Sequence, residues 1–295
     1  MHEEHRILHR ARFDWPAGEV AVECGCVSGA ALDFAIDCGV AERGSADLVA
    51  DAVNLLLARG ALPRTLAVTL ASDDSVVEDL LLGIERGCRA HAFTCIEAVR
   101  VPGAQAHVAI VARGVRQQVL RGLALGDVVY AVAAPGLQGV GVREAIVAFG
   151  GVLALDVSHP VLGCTPRQAL LTPVKSYAGL AYDPMREGCW RALISLSNGG
   201  LLGSVRSALP FALGIELDLG AWTLPPLHAA LLRLLGNDLA RCAATFTLGI
   251  GMLFVTTQQH EPRVLAELQG WREPHARIGR VVESEGVRLV GTLRG

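Results

Sequence analysis

The chain has 295 residues, of which 52% are hydrophobic and 19% charged, with a formal net charge of -3 at neutral pH. This composition excludes a disordered polymer, and with no basic excess it argues against nucleic acid or an anionic membrane as a partner. No apolar stretch approaches the roughly 20 residues that cross a bilayer, and no apolar leader follows the first residues, so the expected location is cytoplasmic.

In chain order, residues 1–19 read as an N-terminal tail in which His2, His5 and His9 lie beside Glu3 and Glu4. The His-Glu-Glu-His run is one residue short of zinc-protease spacing. Residues 32–38 form a short apolar run that fits a strand. Ser45 is placed to cap a helix that runs to Arg59 and ends at Gly60. A strand follows over 64–71. The polar run Ser72-Asp73-Asp74-Ser75 is a cap cluster for a second helix that stops near Gly87. Strands are expected over 91–96, 107–111 and 128–134, then a helix over 142–149. Residues 156–173, with His159-Pro160 and Thr165-Pro166, form the linker candidate. Beyond it come a strand over 191–196, a glycine turn with a helix, a strand over 215–219, and a helix from Pro225-Pro226 to Leu235. A long strand-like run covers 245–256, a helix covers 260–268, and strands over 276–282 and 287–293 complete the series. The mixed order in each half predicts two α/β domains, 20–157 and 158–295.

The 8 cysteines include no C-x-x-C pair, so they read as free thiols of a reducing compartment, with Cys24-x-Cys26 spaced too tightly for ordinary zinc ligation. Arginine is abundant, but Lys175 is the sole lysine. Ser197-Asn198-Gly199-Gly200 lies between an apolar run and a helix. Adjacent glycines there let a ligand approach the backbone, and the helix amides behind them favour an anion.

Several segments in order carry a resemblance: 170–177 with Pro173, Lys175 and Tyr177; 197–210 around the glycine turn; 213–226; and Gly236-Asn237 followed by 245–252. Asp47-Leu48-Val49-Ala50, Val53-Asn54, Gly60-Ala61, Gly126-Asp127, Gly136 and Gly141 match in the first half. Together they resemble aminoimidazole ribonucleotide synthetase, the ATP-dependent phosphoribosylformylglycinamidine cyclo-ligase of purine synthesis (the PurM-like superfamily). The resemblance implies two α/β domains of that type, with N-terminal strands of two subunits forming a shared barrel at a dimer interface. It also implies ATP and substrate clefts. Ser197, Asn198, Gly199, Gly200, Lys175, Gly136 and Gly141 fall at nucleotide or phosphate positions, and Asp47 and Glu97 at magnesium positions.

Much of the polar chemistry of that family is replaced. Its D-G-V-G-T-K loop has no counterpart, and Val53-Asn54-Leu55 puts an apolar side chain where an acidic one stands. The next strand's Asp falls on Val68. In the G-G-E-T segment Glu97 survives, but the following Glu becomes Arg100. Two histidines of the family's turns are also missing, with Pro135–Gly141 and Ser195–Gly200 standing in their place. Glycines and apolar positions persist while polar ones change, which fits a diverged, non-catalytic member acting as a dimeric subunit or a small-ligand binder. Its partner would be a second copy or an active relative. The alternative is an ATP- and magnesium-dependent cyclo-ligase, with its metal held by Asp47, Glu97 and one of Asp73 and Asp74.

Overall fold

A computed structural model describes residues 6–10, 13–15, 17–72, 75–103, 105–196, 199–271 and 274–293. The chain divides into two compact units, 1–119 with 173–179 and 120–172 with 180–295.

The first unit contains β1 (Arg6–Arg10), β2 (Ala21–Val27), α1 (Ala30–Asp37), α2 (Ala41–Leu57), β3 (Ala61–Ala71), α3 (Val77–Ala90), β4 (Thr94–Val101) and β5 (His107–Arg116). Residues 6–10, expected as tail, pair antiparallel with β4; His2 and His5 lie outside the described residues. The sheet order is β1-β4-β3-β5-β2, with β3 parallel to β4 and antiparallel to β5. Leu66, Val68 and Leu70 of β3 are buried, as are Val22, Cys24 and Cys26 of β2. The Cys24 and Cys26 thiols donate to the carbonyls of Ala52 and Leu48, so α2 covers this face. Burial pushes the two thiols up to about 11 and about 12, so they pack as small apolar groups.

Two expectations fail here. Residues 32–37 lie in helix α1 and Cys38 is its C-cap, because an apolar run this short does not distinguish strand from helix. Ser45 does not cap α2, which begins at Ala41; its buried hydroxyl donates instead to the Leu80 carbonyl of α3, 2.8 Å away. Asp73 and Asp74 lie outside the described residues, and α3 starts after Val76 without a side-chain cap.

The second unit holds β6 (Val128–Ala133), α4 (Val142–Ala148), α5 (Pro166–Leu170), α6 (Ala178–Arg186, entered from the first unit), β7 (Trp190–Ser195), α7 (Gly200–Ala208), β8 (Gly214–Asp218), α8 (Pro226–Leu234), α9 (Leu239–Thr245), β9 (Ile250–Thr256), α10 (Glu261–Gly270), β10 (His275–Val282) and β11 (Gly286–Val290). Its sheet runs β11-β8-β10-β6-β9-β7. β6 and β9 are buried at every position, which explains their uninterrupted apolar sequence.

β6 pairs with β9 and β10, so the chain enters the second unit at Leu120 and not at the expected 157/158 boundary. The expected linker is folded: Thr165 and Gln168 form a capping box on α5, and Arg167 pairs with Asp156 at 2.6 Å. The long run over 245–256 is broken by Leu248 and Gly249 at positive φ, and the strand starts only at Ile250. No helix among the described residues is long and apolar enough to cross a membrane.

Candidate ligand site

Ser197 and Asn198 lie outside the described residues, so the glycine turn is seen through Gly199 and Gly200. Gly199 N-caps α7 at φ 94°, and Gly200 follows at φ 62°. A Cβ on Gly200 would stand 2.7 Å from the carbonyls of Ala243 and Phe246. The Leu201 amide donates to the Phe246 carbonyl at 3.0 Å, and the Ser204 hydroxyl caps the Gly200 carbonyl at 2.7 Å. Part of the donor capacity of this helix N-terminus is therefore spent inside the chain.

Gly141 N-caps α4 at φ 72°, and a Cβ there would stand 2.6 Å from the Phe246 ring. Gly136 packs against Thr172, and its carbonyl accepts from His228 Nε2 at 3.3 Å. The structure thus gathers Gly141 and Gly200 on Phe246, with Gly136 held by His228. Their glycine identity follows from close packing as well as from backbone conformation.

The sequence reading missed Phe246 and His228, since a single ring or imidazole on an amphipathic segment carries no spacing signal. His228 is fully buried and its Nδ1 has no partner, nor does the buried Thr247 hydroxyl. The carbonyl contact puts the ring proton on Nε2, because a carbonyl only accepts. Burial lowers its pKa to about 4, an effect that the hydrogen bond to Gly136 opposes. On the same unit, Pro135, Trp222, Thr223, Pro225, Pro274 and His275 help line a mainly apolar cavity of about 530 Å³. That volume lies within the usual range for small-molecule sites.

In the first unit, α2 straps down the returning segment 173–179. Asp47 Oδ1 accepts from the Val174 amide at 3.0 Å. Asn54, two turns further on, donates to the Lys175 carbonyl at 2.8 Å and accepts from the Tyr177 amide at 3.2 Å. Lys175 Nζ lies 6.0 Å from the Tyr177 ring centre. Asp47 and Lys175 therefore meet through the strap. Burial raises Asp47 to about 6, and the Val174 amide and Arg43 oppose the rise. Asp51, one turn along and unremarked in the sequence reading, is also raised to about 6 by burial. Its i+4 spacing from Asp47 was the available signal.

Glu97 is elsewhere. Its neighbour Ala98 is buried and is the register partner of Val68, on the face that the helices cover. Strand alternation turns Glu97 to the opposite face. Asp47 and Glu97 are thus separated by the sheet and do not fit one magnesium ion, which needs its oxygen ligands about 2 Å away. Among the described residues, no group of three or more His, Cys, Asp or Glu is placed to hold a metal.

Residues 125–292, more than half of the chain, match the family model described as AIR synthase related protein, C-terminal domain. A curated phosphoribosylformylglycinamidine cyclo-ligase from Shouchella clausii is 28% identical over 261 residues, covering 83% of this chain and 75% of its own length. Thiamine-monophosphate kinase from Stenotrophomonas maltophilia shares the fold at a TM-score of 0.70 and 21% identity, over 98% of this chain and 92% of that one. HypE of E. coli, a hydrogenase maturation protein, does so at 0.64 and 19%, over 96% and 87%. At these identities the solved structures speak for the two-unit mixed α/β fold alone.

Proposed function

The chain belongs to the AIR synthase related family, and from that premise we propose that it is a diverged, non-catalytic member. It would act in the cytoplasm as a dimeric subunit that binds a small anionic ligand of the nucleotide or phosphate class. The observation that carries this reading is the placement of the two carboxylates at the family's magnesium positions. Asp47 is engaged by the Val174 amide, while Glu97 lies across the sheet. Phosphoryl transfer needs a metal to neutralise developing charge, and this pair does not hold one jointly.

Binding needs less. The first turn of α7 supports an anion beside Gly199 and Gly200 through its dipole and remaining amides, with Ser197 and Asn198 adjacent in sequence. Lys175, the one lysine of the sequence, is a separate phosphate-contact candidate within the first unit. A second copy of this chain is the favoured partner, and an active relative is the other.

A second reading is kept because of the 28% identity to a cyclo-ligase across most of the chain. It is an ATP- and magnesium-dependent cyclo-ligase acting on formylglycinamidine ribonucleotide or a related amide. Calorimetric titration with ATP, with and without magnesium, separates the two. The binding-subunit reading expects no magnesium-dependent affinity and no ADP formed on adding formylglycinamidine ribonucleotide. Micromolar, magnesium-dependent binding with substrate-dependent ADP release would replace it with the enzyme reading.

A further inference from the structure

None of the eight cysteines is in a disulfide, and the side chains of two of them, Cys88 and Cys95, interact. Cys88 sits in the last turn of α3 and is buried, while Cys95 is the second residue of β4 and is half-buried. The Phe93 amide donates to the Cys88 carbonyl at 3.0 Å, folding the chain back between them. Cys95 shares a register position with the buried Leu66, so it faces the helix side of the sheet, where α3 lies. The Cys88 thiol hydrogen-bonds Cys95, and the Cys95 thiol reaches the Glu97 carbonyl at 3.7 Å.

We propose that Cys88 and Cys95 are a thiol modification site that a low-molecular-weight disulfide of the oxidised-glutathione type converts to an intramolecular disulfide. Cys95, the more accessible sulfur, attacks one sulfur of the oxidant as a thiolate and expels one glutathione thiolate. Cys88 then loses its proton to solvent and attacks the Cys95 sulfur, forming the Cys88–Cys95 bond and expelling the second glutathione. Two protein thiols are oxidised by two electrons, and one oxidised glutathione yields two reduced ones. Cys88, the more buried sulfur, is shielded from the oxidant and is left to make the second, intramolecular attack. Thiols within hydrogen-bonding range need only a small approach to reach a bond of about 2.05 Å.

Cys24 and Cys26 provide an internal comparison. They share a strand face, but each thiol is turned to a different α2 carbonyl.

Trypsin tests the proposal on the intact chain. Cleavage after Arg86, Arg89 and Arg100 leaves residues 87–89 and 90–100, which only a Cys88–Cys95 disulfide joins. The folded protein is treated with oxidised glutathione, alkylated, digested without reductant and analysed by mass spectrometry. The expected result is a joined pair of peptides that dithiothreitol separates, and no bridge between Cys24 and Cys26. In Cys88→Ala the expected product is a glutathione adduct at Cys95. Peptides that stay separate, or a Cys95 adduct in the wild-type chain that never resolves to the bridge, would overturn the proposal.

Discussion

His228 shows what one buried ring does to the molecule's pH response. Its folded-state pKa of about 4 lies below the ordinary 6.5, so the unfolded chain takes up the proton more readily. Stability from this residue is complete above pH 6.5, declines as the pH falls, and is fully lost below about 4. At about 1.4 kcal/mol per pH unit, the loss is on the order of 3 kcal/mol. Asp47 and Asp51 act in the opposite sense: both are raised from 3.8 to about 6, so folding gains stability as the pH falls through that interval. Comparing His228→Gln with the wild-type chain isolates the histidine. Urea unfolding at pH 7.5 and pH 4.5 is expected to show a smaller acid loss in the variant. Equal losses in both chains would mean that the ring is not held neutral in the fold. Asp51→Asn is expected to melt at a higher temperature than the wild-type chain at pH 7.5, with the gain shrinking towards pH 4.

At the scale of elements, two helix starts converge on Phe246, and the glycines there are required by space. Gly200→Ala introduces a Cβ 2.7 Å from two carbonyls at a positive φ, whereas Gly163→Ala has φ 66° but open space around it. Denaturant unfolding is expected to show a loss of about 3 kcal/mol for the former and about 1 kcal/mol for the latter. Equal losses would mean that backbone conformation alone selects glycine. The strap on α2 offers a second case. Asn54→Ala removes both side-chain hydrogen bonds to residues 175 and 177, at a cost of about 2 kcal/mol. Amide exchange at Tyr177 is expected to rise with it, and unchanged exchange would show that the strap is held by other contacts.

These elements also mark what the sequence makes legible. Strand β6 and helix α4 were visible because a continuous apolar run closes on Pro135-Gly136 and a glycine precedes the helix. Gly136, Gly141, Gly199 and Gly200 stood out for the same reason. The role of Asn54 was not visible, because its partners lie more than 100 positions away and are backbone groups that any sequence would supply. Nor was the separation of Asp47 from Glu97. It depends on a register shift in β4 after Cys95, and no local pattern encodes a shift.

The whole molecule raises the question of what covers the outer face of the first sheet. On that face Val27 is 72% exposed and Val111 42% exposed. Strand pairing sets Val111 between Ala67 and Gly25, and Ala109 between Thr69 and Val27. The charges on this face include Glu23 and Arg113, which pair with each other at 2.6 Å. The part of this face around Val111, small and apolar beside the paired Glu23 and Arg113, suits a second copy of itself, since a two-fold contact sets the same patch on both sides. The proposed dimer with a barrel of shared strands would bury it. A specific interface needs about 1,200 Å² or more in total, which an entire sheet face from each copy can supply. Sedimentation equilibrium is expected to give a dimer mass for the wild-type chain and a monomer mass for Val111→Arg, with circular dichroism unchanged. Val147→Arg, at a site in the second unit that is 75% exposed, is the control and is expected to remain dimeric. A wild-type chain that stays monomeric at tens of micromolar would remove the dimer. A Val111→Arg chain that still dimerises would move the interface away from this sheet, and with it the barrel.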